Sequence, residues 1–483
     1  NFNLKSTYSA YNVLVSGYVI YGTPLNDYVN AVADKLMEND MTTRKKLKIY
    51  VFESSQVNAF TFNNGVILIN IGLFAKLNNE SELAFVLAHE IAHYTKSHAF
   101  NAYRKQRVVE KKSERVSSLN VDREEVEYYR FSKEQETEAD KLGFERFVKT
   151  GYKLTSSLTL LDVLARSAWP FQNKTLTKDF LDSKYLVVPA KYYNDSAVKS
   201  LKIDTSYNDS KQTHPAIPKR KAAIVTLLNK AASDTSIGKK YLVSQDKFEQ
   251  LRQQCRMELS RLYMHDKEYF NSIYNSYLLA DIGDDEYLTT IFVKNLYFIQ
   301  FNFNERSRRD VTESEKNSEG EVSRLNTMFK NFSKEELNAW CLRKAWDAQT
   351  KYPNNNEIKV FTLAITKGFK QTVAQELKFF APLAEYNDSL IQSFYKVTAL
   401  EVVAQKRQAN GNRKSSRIHT RRSGTFVKYC MPDYILDERF TKAFNEIEVP
   451  KAVDEEEDED EIRPKKVAKN KKKKEKETQK EET

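Results

Sequence analysis

The segment VLAHEIAHYTKSH, at positions 86–98, holds three of the chain's six histidines. His89 and His93 are four residues apart, with Glu90 directly after the first. A helix advances ~100° per residue, so these two rings stand on one face, a turn apart. Both imidazoles then reach a single metal ion at the ~2.0–2.1 Å of a zinc–nitrogen bond. Glu90 borders that face, where a carboxylate can hold a metal-bound water and take its proton. This is the H-E-x-x-H arrangement, in which the glutamate is a base and not a ligand.

A catalytic zinc has three protein ligands and one open position, so a third donor must come from elsewhere. The stretch EQETEAD, at 134–140, is the best source. Glu136 and Asp140 sit at i and i+4, on one face of a second helix. Glu136 is read as a metal ligand, and Asp140 as the acceptor of a hydrogen bond from the far nitrogen of a ligand histidine. Spacing alone does not separate Glu136 from Glu134 and Glu138, and a solvated charged face is the plain alternative for all of them.

Several elements must position these groups. LNDYVNAVADKLMEN (25–39) places Leu25, Val29, Val32 and Leu36 at helical spacing, and LKIYVF (47–52) alternates as a strand does. AFTFNNGVILINI (59–71) has two apolar runs around Asn63-Asn64-Gly65, which predicts a hairpin. Residues 81–105 read as one helix with Ser81 as its N-cap. A charged helical extension and a mobile segment follow over 101–130, then helices over 131–152, 156–167 and 219–232, with 192–218 as loop. From about residue 240 amphipathic helices take over. The first of them has Phe248, Leu251, Cys255, Leu259 and Leu262 on one face, and the pairing of helices points to a repeat of tetratricopeptide type.

Composition agrees with a helix-rich chain. Glycine (12) and proline (10) are scarce, and 40% hydrophobic residues can fill a sizeable core. Cys255, Cys341 and Cys430 show no C-x-x-C spacing, which argues against a disulfide framework. The net charge of +11 is concentrated in residues 408–422 and in the end of the tail. Without an aromatic-interleaved basic face, that charge reads as solvated chain and predicts no nucleic-acid partner. No apolar run approaches the ~20 residues that span a bilayer. The chain begins at Asn1 without an initiator methionine, which leaves room for an upstream signal or membrane anchor.

VNAFTFNNGVILINIGLFAKLNNESELAFVLAHEIAHYTKSH, FSKEQETEADKLGFERFVKTGY and THPAIPKR occur in that order. Together they resemble the zinc metallopeptidases of the HtpX and CaaX-prenyl-protease type (metallopeptidase family 48), over about residues 10–230. The resemblance implies a gluzincin fold with one Zn²⁺ per chain. It makes His89, His93 and Glu136 the ligands, Glu90 the catalytic base and Asp140 the partner behind a ligand. It favours Glu136 over its neighbours because the family's ligand stands four residues before the aspartate. His214, in the His-Pro element, is implied near the active site, in a catalytic, inhibitory or structural role. His98 is expected to make a structural hydrogen bond. Lys133 departs from the arginine that the family often has there.

The expected fold is therefore α+β and mostly helical. It comprises a zincin-like peptidase domain with a small β-sheet (1–235), a helical repeat-like domain (240–406), a small appended basic region (407–450) and a disordered charged tail (451–483). Without visible membrane helices the chain resembles the soluble periplasmic, BepA-like branch of the family. That implies a location in the periplasm or cell envelope, extended or unfolded protein substrates, and a protein partner on the helical domain. The competing expectation is a chaperone or assembly factor with a closed metal site. The intact Glu90 argues against it, since a site kept only for structure needs no base.

Overall fold

The computed structural model describes residues 2–102, 118–183, 188, 192–193, 198, 200–201, 217–231, 238–280, 285–305, 311, 319–373 and 437–447. The described chain is mostly helical with one four-stranded sheet. Helix α1 (Phe2–Leu14) is followed by β1 (Val19–Ile20), α2 (Pro24–Leu36), β2 (Lys48–Phe52), β3 (Ala59–Thr61), β4 (Val66–Asn70) and α3 (Ile71–Lys76). Then come α4 (Glu80–Thr95), α5 (Ser118–Phe147), α6 (Ser156–Ala165) and α7 (Ile217–Ala231). The rest is helical: α8 (Gln245–His265), α9 (Tyr269–Ala280), α10 (Glu286–Glu305), α11 (Gly320–Asn331), α12 (Lys334–Lys351), α13 (Asn356–Val373) and α14 (Glu438–Glu446).

The sheet order is β1-β2-β4-β3, with β2 and β4 parallel and the other pairs antiparallel. The hairpin expected from Asn63-Asn64-Gly65 is present, and β3 is left as an edge strand. Gly65 has φ +86°, and a Cβ there would meet the Lys46 carbonyl oxygen at 2.5 Å, so only glycine fits the turn. The pleat divides the sheet chemically. Ile49, Val51, Ile67 and Ile69 face the main core with α2 and α4, whereas Val19, Val66 and Leu68 face the other side.

Helix α4 carries the two histidines. Its N-cap is Asn79, not the expected Ser81: the Asn79 side chain accepts from the Glu82 N–H at 3.1 Å. Ser81 lies inside the first turn, and its hydroxyl donates to the Lys153 carbonyl. The helix does not run on to residue 105. It ends at Thr95, and Ser97 takes a left-handed conformation at φ +51°. The glutamate helix α5 begins at Ser118, earlier than expected, and ends at Phe147 rather than near Gly151.

The entrance to α4 is held by Glu80, which is fully buried. Its carboxylate accepts from the hydroxyls of Tyr28 and Tyr152, and from the N–H groups of Leu242 and Val243 at 2.9 Å and Ser244 at 3.2 Å. Removing that acceptor would strand buried donors at ~1–3 kcal/mol each, so Glu80 fixes the segment before α8 against the start of α4. The expected face of α8 is buried as read. Phe248, Leu251, Cys255, Leu259 and Leu262 pack into the same core as α2, α3 and α4.

A second core joins α9 through α14 and takes in Leu176, Leu181 and Tyr192 from earlier in the chain. Trp340 donates from its indole to the Leu181 carbonyl at 2.9 Å, and Tyr192 donates to Glu336. Cys255 and Cys341 are buried and not in disulfides. Among the described residues no helix is long and apolar enough to cross a membrane. The basic stretch 408–422 and the tail 451–483 lie outside the described residues.

Candidate metal centre and cleft

Helix α5 packs along α4, and a glycine permits the approach. A Cβ at Gly143 would lie 3.0 Å from the His89 nitrogen and 3.1 Å from its Cα. Any larger residue would push the two helices apart. The contact aligns Glu136 with both histidines. His89 Nε2 and His93 Nε2 are 3.0 Å apart. Glu136 Oε2 lies 3.5 Å from the first and Oε1 3.3 Å from the second.

Three ligands around a tetrahedral zinc, each ~2.0–2.1 Å from it, stand about 3.3 Å from one another. The imidazoles are separated by that order of distance, each meets one oxygen of the Glu136 carboxylate, and one donor atom of each residue lies within 4.8 Å of the others, so the three side chains could hold one ion. Glu134, two residues earlier, is exposed. Glu138 turns instead to Lys96, at 3.0 Å, and to His98 Nε2, at 3.2 Å. Of the three glutamates left open by spacing, only Glu136 joins the pair of imidazoles.

Behind the cluster, Asp140 Oδ1 lies 3.0 Å from His89 Nδ1. Arg220 of α7, which spacing alone did not single out, donates to both oxygens of Asp140, at 2.7 and 2.8 Å. Burial opposes charge on Asp140, but His89 and Arg220 outweigh it and hold the carboxyl down at about 2. Burial likewise opposes charge on His89, and Asp140 and Glu136 together lift its pKa to about 10. The Arg220 guanidinium is raised in turn, chiefly by Asp140, against its own burial. This charge set is suited to a cation bound between His89, His93 and Glu136.

His98 is buried, and its Nδ1 lies 3.0 Å from His93 Nδ1. An uninterrupted helix would carry residue 98 far around from residue 93, since five steps exceed one turn by about 140°. The left-handed Ser97 is what returns it. Burial and the neighbouring His93 depress the His98 pKa, while Glu138 works against them. Gln135 donates to the His98 carbonyl at 3.0 Å and fixes the loop. His214 lies outside the described residues.

A cleft of about 340 Å³ opens beside the cluster. Asn58 to Asn63 form one wall, His89, Glu90 and His93 the floor, and Leu160, Leu164 and Arg220 part of the far side. Thr61 of β3, another residue not anticipated, donates to Glu90 Oε2 at 2.7 Å. The edge strand thus fixes the carboxylate beside the imidazoles.

If Arg220 orients Asp140, Arg220→Gln is expected to weaken zinc affinity by about 10–100-fold, the usual effect of losing an outer partner of a ligand histidine. Competition with a chromogenic chelator would measure it, and an unchanged affinity would remove Arg220 from the account.

Part of the chain is similar to known peptidases. Residues 24–119 match the model of peptidase family M48. The chain is 38% identical over 91 residues to the beta-barrel assembly-enhancing protease of Yersinia pestis, 19% of each chain. It is 33% identical over 88 residues to the putative beta-barrel assembly-enhancing protease of Vibrio cholerae, 18% of each chain. It is 32% identical over 82 residues to the Escherichia coli beta-barrel assembly-enhancing protease, 17% of each. The matched stretches span about a fifth of these relatives' length. Over residues 24–119 the chain is similar to peptidase family M48, and over about a fifth of its length to the beta-barrel assembly-enhancing proteases.

Proposed function

We propose that the chain is a zinc-dependent endopeptidase that hydrolyses extended segments of unfolded or misassembled envelope proteins. The observation that carries this reading is the convergence of His89, His93 and Glu136 on one point, with Glu90 beside them on the cleft floor. His89, His93 and Glu136 would hold the zinc, which when bound polarises a carbonyl and makes water acidic enough to react near neutral pH. Asp140, 3.0 Å from His89 Nδ1, favours the proton on that nitrogen and so leaves the Nε2 lone pair for the metal position. Arg220 keeps Asp140 ionised and in place.

Glu90 accepts a proton from the attacking water and returns it to the leaving amine. Thr61 holds the carboxylate in the orientation that both transfers need. The open edge of β3 aligns an extended substrate through main-chain hydrogen bonds, a mode indifferent to most side chains. Main-chain recognition suits unfolded chains, and the relatives named as assembly-enhancing proteases fit a role in quality control within the periplasm or envelope. The helical region from α9 onward, of tetratricopeptide type in this reading, would hold a protein partner or present substrate.

Incubation of the purified chain with unfolded casein tests the proposal. Cleavage is expected to stop on treatment with 1,10-phenanthroline and to return with added zinc. Absence of cleavage, or cleavage indifferent to the chelator, would reject it.

A further inference from the structure

The two faces of β3 differ in chemistry. Ala59 and Thr61 stand opposite Ile69 and Ile67 on the inner face, where Thr61 holds Glu90. Phe60 stands opposite Leu68 and, with Phe62, belongs to the outer side of the sheet. There the rings form a row that includes Phe60 of β3 and Phe52 of β2. Phe62 and Phe60 are 5.7 Å apart between centroids, Phe60 and Phe52 6.0 Å, and Phe52 and Tyr18 6.1 Å. Phe52, Phe60 and Phe62 are only partly buried, and Phe60 and Phe62 also line the cleft.

We infer that this aromatic row is a specificity surface, selecting extended substrates that carry aromatic or large aliphatic residues at every second position. The inference rests on the peptidase reading and on substrate pairing along β3. A strand added at that edge projects its side chains alternately to the two faces. Those on the inner face meet the cleft floor around Glu90 and His89. Those on the outer face come beside Phe60 and Phe62 as cross-strand neighbours, an arrangement that favours aromatic and branched partners. Main-chain pairing is blind to sequence, so the row adds a preference of period two. The occupant that fits is a β-strand with one apolar face, left unpaired because its own sheet has not formed. Such a strand offers both features at once: free main-chain donors and acceptors, and alternating apolar residues.

Two fluorescence-quenched peptides of equal length and composition test this on the full chain. One alternates Phe and Tyr with Ser and Thr, and the other gathers the same residues into blocks. The alternating peptide is expected to show about tenfold higher kcat/KM, as two favourable cross-strand pairs would give. In Phe60→Ser/Phe62→Ser the ratio is expected to fall to about one. Phe62→Ser alone, just beyond the end of the strand, is expected to lower it about threefold. Equal rates in the wild type, or an unchanged ratio in either variant, would overturn the inference and leave the peptidase reading standing. Cleavage of neither peptide, nor of casein, would overturn both.

Discussion

Glu90→Gln is expected to lower kcat for casein by about 10²–10⁴-fold, the range that a positioned proton-transfer group supplies. Zinc content and fold are expected to stay as in the wild type. The substitution is nearly isosteric, and the Gln carbonyl can still accept from Thr61, whose hydroxyl lies 2.7 Å from the carboxylate. What is lost is the capacity to take a proton and give it back. His89, His93 and Glu136 are untouched, so the loss should fall on the chemical step and leave metal binding unchanged. Parallel measurement of kcat, zinc content and circular dichroism separates the two. Cleavage by the variant at the wild-type rate would show that another group is the base.

How much of this was legible in the sequence follows the range of the interactions involved. His89, Glu90 and His93 are set by helical periodicity, which acts over one turn and is written in adjacent residues. The β3–β4 hairpin is likewise local, because Gly65 alone accommodates the positive φ of its turn. Glu136 required more. Spacing left three candidates, and only the approach of α5 to α4 across Gly143 distinguishes them.

Arg220 stands within THPAIPKR with no local partner, since the contact between α7 and Asp140 joins positions 80 residues apart. Thr61 was hidden for the same reason. Ser81 failed as the N-cap because Asn79, two residues earlier, also has a capping side chain and the chain turns there. The break after Thr95 has no glycine to announce it. Ser97 bears the left-handed conformation, held by the packing of His98 against His93 and by Gln135 on the following turn. The shared burial of α8 with the first core, and of Leu176, Leu181 and Tyr192 with the second, is a tertiary property that no local pattern encodes.

Glu136→Ala has the other large expected effect. It deletes one of three donors, where loss of an outer partner alone typically costs about 10–100-fold in affinity, so zinc binding should weaken by more than about 100-fold and cleavage should fall with it. Asp140 does not substitute, because both its oxygens are committed to Arg220 and one also faces His89.

Zinc K-edge absorption on the wild type and on Glu136→Ala, each dialysed against submicromolar zinc, tests the central claim most directly. The account predicts one zinc per wild-type chain with two imidazole nitrogens and a carboxylate oxygen at ~2.0–2.2 Å, and little zinc in the variant. A wild-type spectrum without two imidazoles, or a variant that retains the wild-type spectrum, would contradict it.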